Sequence, residues 1–156
     1  MPDWLTHSLV GWITGKTIGK DVSLIAIGAL IPDISKVHLL FRLIQNEKAD
    51  VLFLPIHTPF GALLIALIIA LCFQDMKKTF LALTIGLTTH FLLDFLLLNV
   101  SGGMPLLFPF SWQEWQLDLI RSDDYTMTIV ALIAASLVFI ICYIYQKRQI
   151  HLLKHK

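Results

Sequence analysis

At 156 residues the chain has room for one domain. Its residues are 56% hydrophobic and only 15% charged, against about 45–50% and about 25% in soluble globular domains; with a mean hydropathy of +0.75, the composition points to a membrane protein. A formal net charge of +1 without a long basic run leaves no electrostatic case for nucleic-acid binding.

The opening residues, MPDWLTHS, lack the basic region and small-residue cleavage site of a signal peptide, so the mature chain is expected to keep its start. Leu5 to Ile18 is apolar on most sides but marginal in length for a span. Asp3 is its expected N-cap, and Gly15-Lys16-Thr17-Ile18-Gly19-Lys20-Asp21 reads as a turn. Val22 to Ile31 then gives only ten residues before Pro32-Asp33. Two readings stand here. One is a short helical hairpin followed by a partly amphipathic helix from Asp33 through Leu43; the other is a single span from Val22 to Leu43, kinked at Pro32. Periodicity does not separate them.

Thr58-Pro59 is a helix start, with threonine as N-cap and proline at the first helical position, where its missing N–H does no harm. It opens a short apolar stretch, Pro59 to Phe73, joined by Gln74-Asp75-Met76-Lys77-Lys78 to a full-length span, Phe80 to Val100. So short a link predicts an antiparallel hairpin. Pro105 to Ile120 mixes Trp112, Trp115 and several phenylalanines with polar residues, the composition of a loop or short helix lying in a membrane interface. The clearest span is Tyr125 to Tyr145, which carries no formal charge and is closed by Gln146-Lys147-Arg148. The expected fold is therefore all-α. It is a polytopic transmembrane bundle of about four to five membrane-embedded helices, some short or broken, with an interfacial segment before the last. Residues 1–148 form the single domain, and residues 149–156, with His151 and His155, a basic cytoplasmic tail. Cys72 and Cys142 lie far apart inside apolar runs and read as small lipid- or core-facing residues rather than a disulfide.

Basic residues orient this arrangement. Placing the Lys77-Lys78 hairpin and the C-terminus in the cytoplasm puts Lys16, Lys20, Lys77, Lys78, Lys147, Arg148, Lys154 and Lys156 on that side. Lys36, Arg42, Lys48 and Arg121 remain outside, with Glu114, Asp118, Asp123 and Asp124. This satisfies the positive-inside rule and predicts a multi-pass protein of the inner, cytoplasmic membrane.

Inside LTTHFLLDFLLLNVSGG (Leu87 to Gly103), His90 and Asp94 stand four residues apart. That spacing puts both on one face of a helix, able to approach one ion or substrate group. In the topology above they fall in the outer half of their span. His57 precedes the neighbouring span at its outer end, His7 stands near the outer start of the first helix, and Asp33 sits at the outer mouth of the first hairpin. Imidazole nitrogens and carboxylate oxygens suit zinc first, then manganese or iron. An unpaired aspartate near the centre of a membrane helix costs about 2.5–3.5 kcal/mol on insertion scales, which a bound cation or a wet cavity offsets. Each residue also has a plainer reading: Asp33 as a helix cap, His57 and His7 as interfacial side chains, and His90 with Asp94 as an interhelical hydrogen bond or ion pair. His38, five residues after Asp33, is ambiguous.

Several of these stretches together resemble a known family, the predicted membrane-bound metal-dependent hydrolases, also described as LexA-binding, inner membrane-associated hydrolases. The matching pieces are Thr6-His7 followed by Gly11, GALIPDISK (Gly28 to Lys36), HTPFGALL (His57 to Leu64), HFLLDFL (His90 to Leu96) and SGGMPLLFPFSW (Ser101 to Trp112). The resemblance implies a multi-pass helical protein with His7, Asp33, His57, His90 and Asp94 as metal ligands. Asp33-Ile34-Ser35 departs from the Asp-x-Asp that members often carry, and Leu54 to Pro59 lacks their basic, glycine-containing stretch. No residue here corresponds to LexA binding.

The favoured expectation is a hydrolase in which a divalent metal activates water against an ester or phosphoester at the outer membrane interface, with a small-molecule or lipid substrate. Asp94 or Asp33, whichever is not a ligand, would orient that water or take its proton. The competing expectation is a non-enzymatic metal- or ion-binding protein, or a structural one whose His/Asp cluster fixes helix packing.

Overall fold

The computed structural model describes residues 4–19, 21–37, 54–98, 103–121 and 125–154. They fold into helices α1 (Trp4–Ile18), α2 (Val22–Gly28), α3 (Pro59–Leu71), α4 (Met76–Leu96) and α5 (Thr126–Lys154), with 3-10 turns at Pro32–Val37 and Leu54–His57. A two-residue parallel pairing of Leu97–Leu98 (β1) with Ile120–Arg121 (β2) is too short to form a layer. Asp3, Lys20, the stretch of the expected third helix that holds His38, and His155 lie outside the described residues.

Among the described residues two stretches are long and apolar enough to cross a membrane: α4, and Thr126–Arg148 within α5. The core helix of a soluble protein would be covered on most sides, whereas only 11% of the α5 stretch is buried. Its bare Ile133, Leu137, Phe139 and Ile141 suit lipid. The expectation of four to five embedded helices is corrected in this respect, because α1, α2 and α3 have 15, 7 and 13 residues and fall short of the roughly 20 that a crossing needs.

Local chemistry sets the boundaries. α1 runs through Gly15 to Ile18, so the expected turn shrinks to the residues around Gly19 and Asp21, both at positive φ (72° and 43°). α2 stops at Gly28 and a 3-10 turn follows at Pro32–Val37; the stretch to Leu43 that would separate the hairpin from a span kinked at Pro32 lies outside the described residues. Thr58 caps α3 as expected, its side chain accepting the Gly61 N–H at 3.1 Å while its hydroxyl donates to the Pro55 carbonyl at 2.7 Å. α4 begins at Met76, four residues before the predicted Phe80, because the Asp75 carbonyl accepts the Thr79 N–H and the two lysines join the first turn. At its other end the Phe95 and Leu96 carbonyls, which have no partner within the helix, accept the N–H groups of Leu117 and Leu119. The 103–121 segment is therefore hydrogen-bonded onto the end of α4 as an irregular loop, the looser of the two expected forms. α5 continues past Arg148 to Lys154. Its 29 residues extend about 43 Å at ~1.5 Å per residue, longer than the roughly 30 Å hydrocarbon core.

Small residues let the helices meet closely. Ala62, Ala66 and Ala70 form a fully buried stripe on α3, with Leu83 and Leu87 of α4 and Ile31 in the same core cluster. α2 crosses α4 at two glycines: a Cβ on Gly86 would lie 2.1 Å from the Ile25 carbonyl oxygen, and one on Gly28 2.3 Å from that of Leu83. No side chain fits between backbones this close. The crossing holds the end of α2 against the turn of α4 that precedes His90. Gly86→Ala is expected to destabilise the protein by about 1–3 kcal/mol through overpacking, read as a lowered thermal midpoint in detergent. Ile133→Val on the bare side of α5 should change stability by no more than about 0.5 kcal/mol.

Candidate metal centre

The site is assembled from four pieces of backbone. Proline supplies the first constraint: Pro32 has no N–H, and the Asp33 N–H bonds to the Leu30 carbonyl, so the Ala29 carbonyl has no helical donor. His90 takes it, its Nδ1–H donating to Ala29 O at 2.7 Å. The Pro32 carbonyl is used in the same way by His57 Nδ1–H at 3.2 Å. A carbonyl has no proton to offer, so both rings carry theirs on Nδ1 and turn Nε2 inward.

Those inward nitrogens meet a carboxylate. Asp94 Oδ2 lies 3.0 Å from His57 Nε2 and 3.2 Å from His90 Nε2, and Asp94 Oδ1 lies 3.4 Å from His7 Nε2. His90 Nε2 also lies 3.9 Å from Asp33 Oδ1. His7 stacks on His90 with ring centroids 3.8 Å apart, so the two rings cannot both carry charge without repulsion. All five residues named from the sequence are thus brought together.

Proximity does not satisfy these groups. The His57–Asp94 contact has hydrogen-bond geometry, filled when His57 carries a proton on both nitrogens, but His7 Nδ1 and Nε2, His90 Nε2, Asp94 Oδ1 and both Asp33 oxygens are buried without a hydrogen-bond partner. Asp33 Oδ1 is 2.6 Å from Lys36 Nζ, an ion pair by distance that lacks hydrogen-bond direction. The atoms approach a common region rather than each other's protons. Two ligand sets share His90, namely His7–His90–Asp94 and Asp33–His57–His90, with donor atoms inside 4.8 Å of one another. A tetrahedral ion with bonds of ~2.1 Å keeps its ligands about 3.4 Å apart, which these spacings fit. Ring nitrogens fixed through Nδ1 to backbone carbonyls are also the usual outer support of metal-binding histidines.

Access is one-sided. The side chains of His7 and His90 are 0% exposed and those of Asp33 and Asp94 2%, whereas His57 is 17% exposed. Burial alone would lower the His57 pKa; the hydrogen bond to Asp94, that carboxylate's charge, the Pro32 carbonyl and Asp33 outweigh it, and the net shift is upward.

Lys36 was not singled out for the site from the sequence, although its i+3 spacing from Asp33 was the available signal. Phe91 was also missed; its ring meets those of His90 and His57 at centroid separations of 5.5 and 6.2 Å.

The five-residue cluster carried by Thr6-His7, Pro32-Asp33, His57-Thr58-Pro59 and His90 to Asp94 draws on residues 6 to 94, and the family comparison takes in all of them. The chain belongs to the YdjM inner membrane protein family, whose model matches residues 2–153. Membership establishes a protein of the inner membrane; the family's description extends to neither hydrolysis nor LexA binding. No curated protein and no solved structure matches the chain.

In this family member the Asp94 carboxylate is the largest of the influences that raise the His57 pKa. Asp94→Asn is expected to move the His57 titration to lower pH in chelator-treated protein, followed by imidazole NMR. An unchanged or higher midpoint would contradict the geometry.

Proposed function

We propose that this protein is a membrane-bound, metal-dependent hydrolase that cleaves ester or phosphoester bonds at the outer face of the inner membrane. One observation carries the reading: imidazoles locked through Nδ1 onto backbone carbonyls aim Nε2 at two buried carboxylates, three of whose four oxygens lack a hydrogen bond. The donor set favours zinc, with manganese and iron next. A divalent ion held here supplies Lewis acidity and brings the pKa of a coordinated water to about 7.

The side chains divide the remaining work. His7, His57, His90 and Asp94 would hold the ion. Asp33, which makes no hydrogen bond to an imidazole, would orient the attacking water and accept its proton. Lys36 positions Asp33 through their ion pair. His57 marks the side from which substrate arrives, being the most exposed of the five.

The helix ends support a site at the outer face. His7 lies near the start of α1 and Lys16 near its end, while Lys77 and Lys78 start α4 and Asp94 lies near its end. A hydrogen bond between Thr6 and Thr128 sets the start of α5 beside that of α1, leaving Lys147 and Arg148 at the opposite end. With the basic ends inside, the chain passes the membrane several times, its C-terminus is cytoplasmic and the cluster faces out.

The near-complete burial of His7, Asp33, His90 and Asp94 favours one other reading, a closed ion site that fixes helix packing without catalysis. The two separate on metal content and turnover of p-nitrophenyl acetate and bis-p-nitrophenyl phosphate by detergent-purified protein. The hydrolase reading expects about one divalent ion per chain, lost in His90→Ala, together with turnover abolished by chelation. Asp33→Asn should keep the ion and lose about 10²–10⁴-fold in rate. Full metal without turnover would favour the closed site, and equal trace metal in wild type and His90→Ala would remove the ligand assignment.

A further inference from the structure

Beside the cluster lies a second feature. Between α3 and α4 runs a groove of about 290 Å³, lined by Pro59, Leu63, Leu87 and Leu92 among others, with Met104 and Leu106 also in its wall. Its size is at the lower end of ligand pockets, which run from about 300 to 1,000 Å³. Two threonines line it, but the Thr84 hydroxyl donates to the Phe80 carbonyl and that of Thr88 to the Thr84 carbonyl, so neither is free to bind a polar guest. The guest must be apolar. Because α4 is of membrane-spanning length and composition, the groove is bathed in lipid chains.

Its inner wall ties it to the site. Phe91 lines the groove and turns its ring edge-on to His57 and His90, while Pro59 follows two residues after His57. The Lys36 ammonium is paired with Asp33 and the three imidazoles share Asp94, so a divalent ion held there would supply the positive charge that an anionic group needs. An apolar slot thus leads to a nitrogen-rich end.

We propose that this groove binds one acyl chain of a membrane phospholipid, with the lipid's phosphate at the His57 end of the cluster. The assignment names the substrate class for the hydrolase reading and rests on it for the bond that is cleaved. Chain binding itself requires no turnover.

The test uses the full-length protein in nanodiscs doped with phosphatidic acid carrying a diazirine in one acyl chain, photolysed and mapped by mass spectrometry. Labelling should concentrate on Leu63, Thr88, Leu92 and Met104 over the bare Ile133 and Leu137 of α5. Leu63→Trp with Thr88→Trp, which fills the groove from its exposed side, should reduce that labelling about tenfold, as displacement of roughly two methylenes would. Metal content should be unchanged in this variant. Diacylglycerol with the same diazirine chain should label the groove less, for want of a phosphate to anchor. Labelling spread evenly over groove and α5, persistence in the double variant, or equal labelling by the two probes would overturn the proposal. The label reads the groove in wild type and in metal-free His90→Ala alike, so loss of the metal reading and loss of this one are separate results.

Discussion

The structure depends on one unfavourable arrangement: a carboxylate on a membrane-length helix, 2% exposed, with three imidazole nitrogens within 3.4 Å of its oxygens. An isolated charge in hydrocarbon would neutralise or be expelled. Here it stays because four separate elements converge on it, and convergence has a cost of its own, since six buried polar atoms around it have no hydrogen-bond partner. A cluster with only a packing role would be cheaper to build from apolar side chains. The proposed cation would satisfy these unmet donors and acceptors together.

Backbone decisions far from the cluster aim those directions. Pro32 frees the Ala29 carbonyl for His90, and the Gly28–Gly86 crossing brings that carbonyl within reach of the helix face that carries it. Leu117 and Leu119 satisfy the last carbonyls of α4 just beyond Asp94. Thr58 fixes the bend between His57 and α3. Side-chain geometry at the centre is therefore inherited from turns and caps, which are stiffer than side-chain torsions. Pre-organisation of this kind is what a metal centre needs, since ligands held in place lose little entropy on binding.

How far the sequence revealed this varied with the range of the interaction. His90 and Asp94 were legible because helical spacing alone puts them on one face, and Thr58-Pro59 because capping is local. His7, Asp33 and His57 could be gathered only by assuming a topology, which charge asymmetry supplied. Helix ends were read less well: α4 starts earlier than its apolar run, since Lys77 and Lys78 can extend into water from a first turn. The number of crossing helices was overestimated because apolar runs of 13 to 15 residues look alike whether they cross or only embed. The Pro32 and Ala29 carbonyls left no trace in side-chain patterns, because the groups that act are backbone atoms. The α3–α4 groove was hidden for a related reason: its lining residues have ordinary hydrophobic identities.

X-ray absorption at the metal edge of the purified, detergent-solubilised protein examines the central claim most directly. The account predicts a first shell of nitrogen and oxygen at about 2.0–2.2 Å, with the outer-shell scattering of at least two imidazoles that is lost in His90→Ala. A metal surrounded by oxygen alone, with a spectrum unchanged by that substitution, would contradict it.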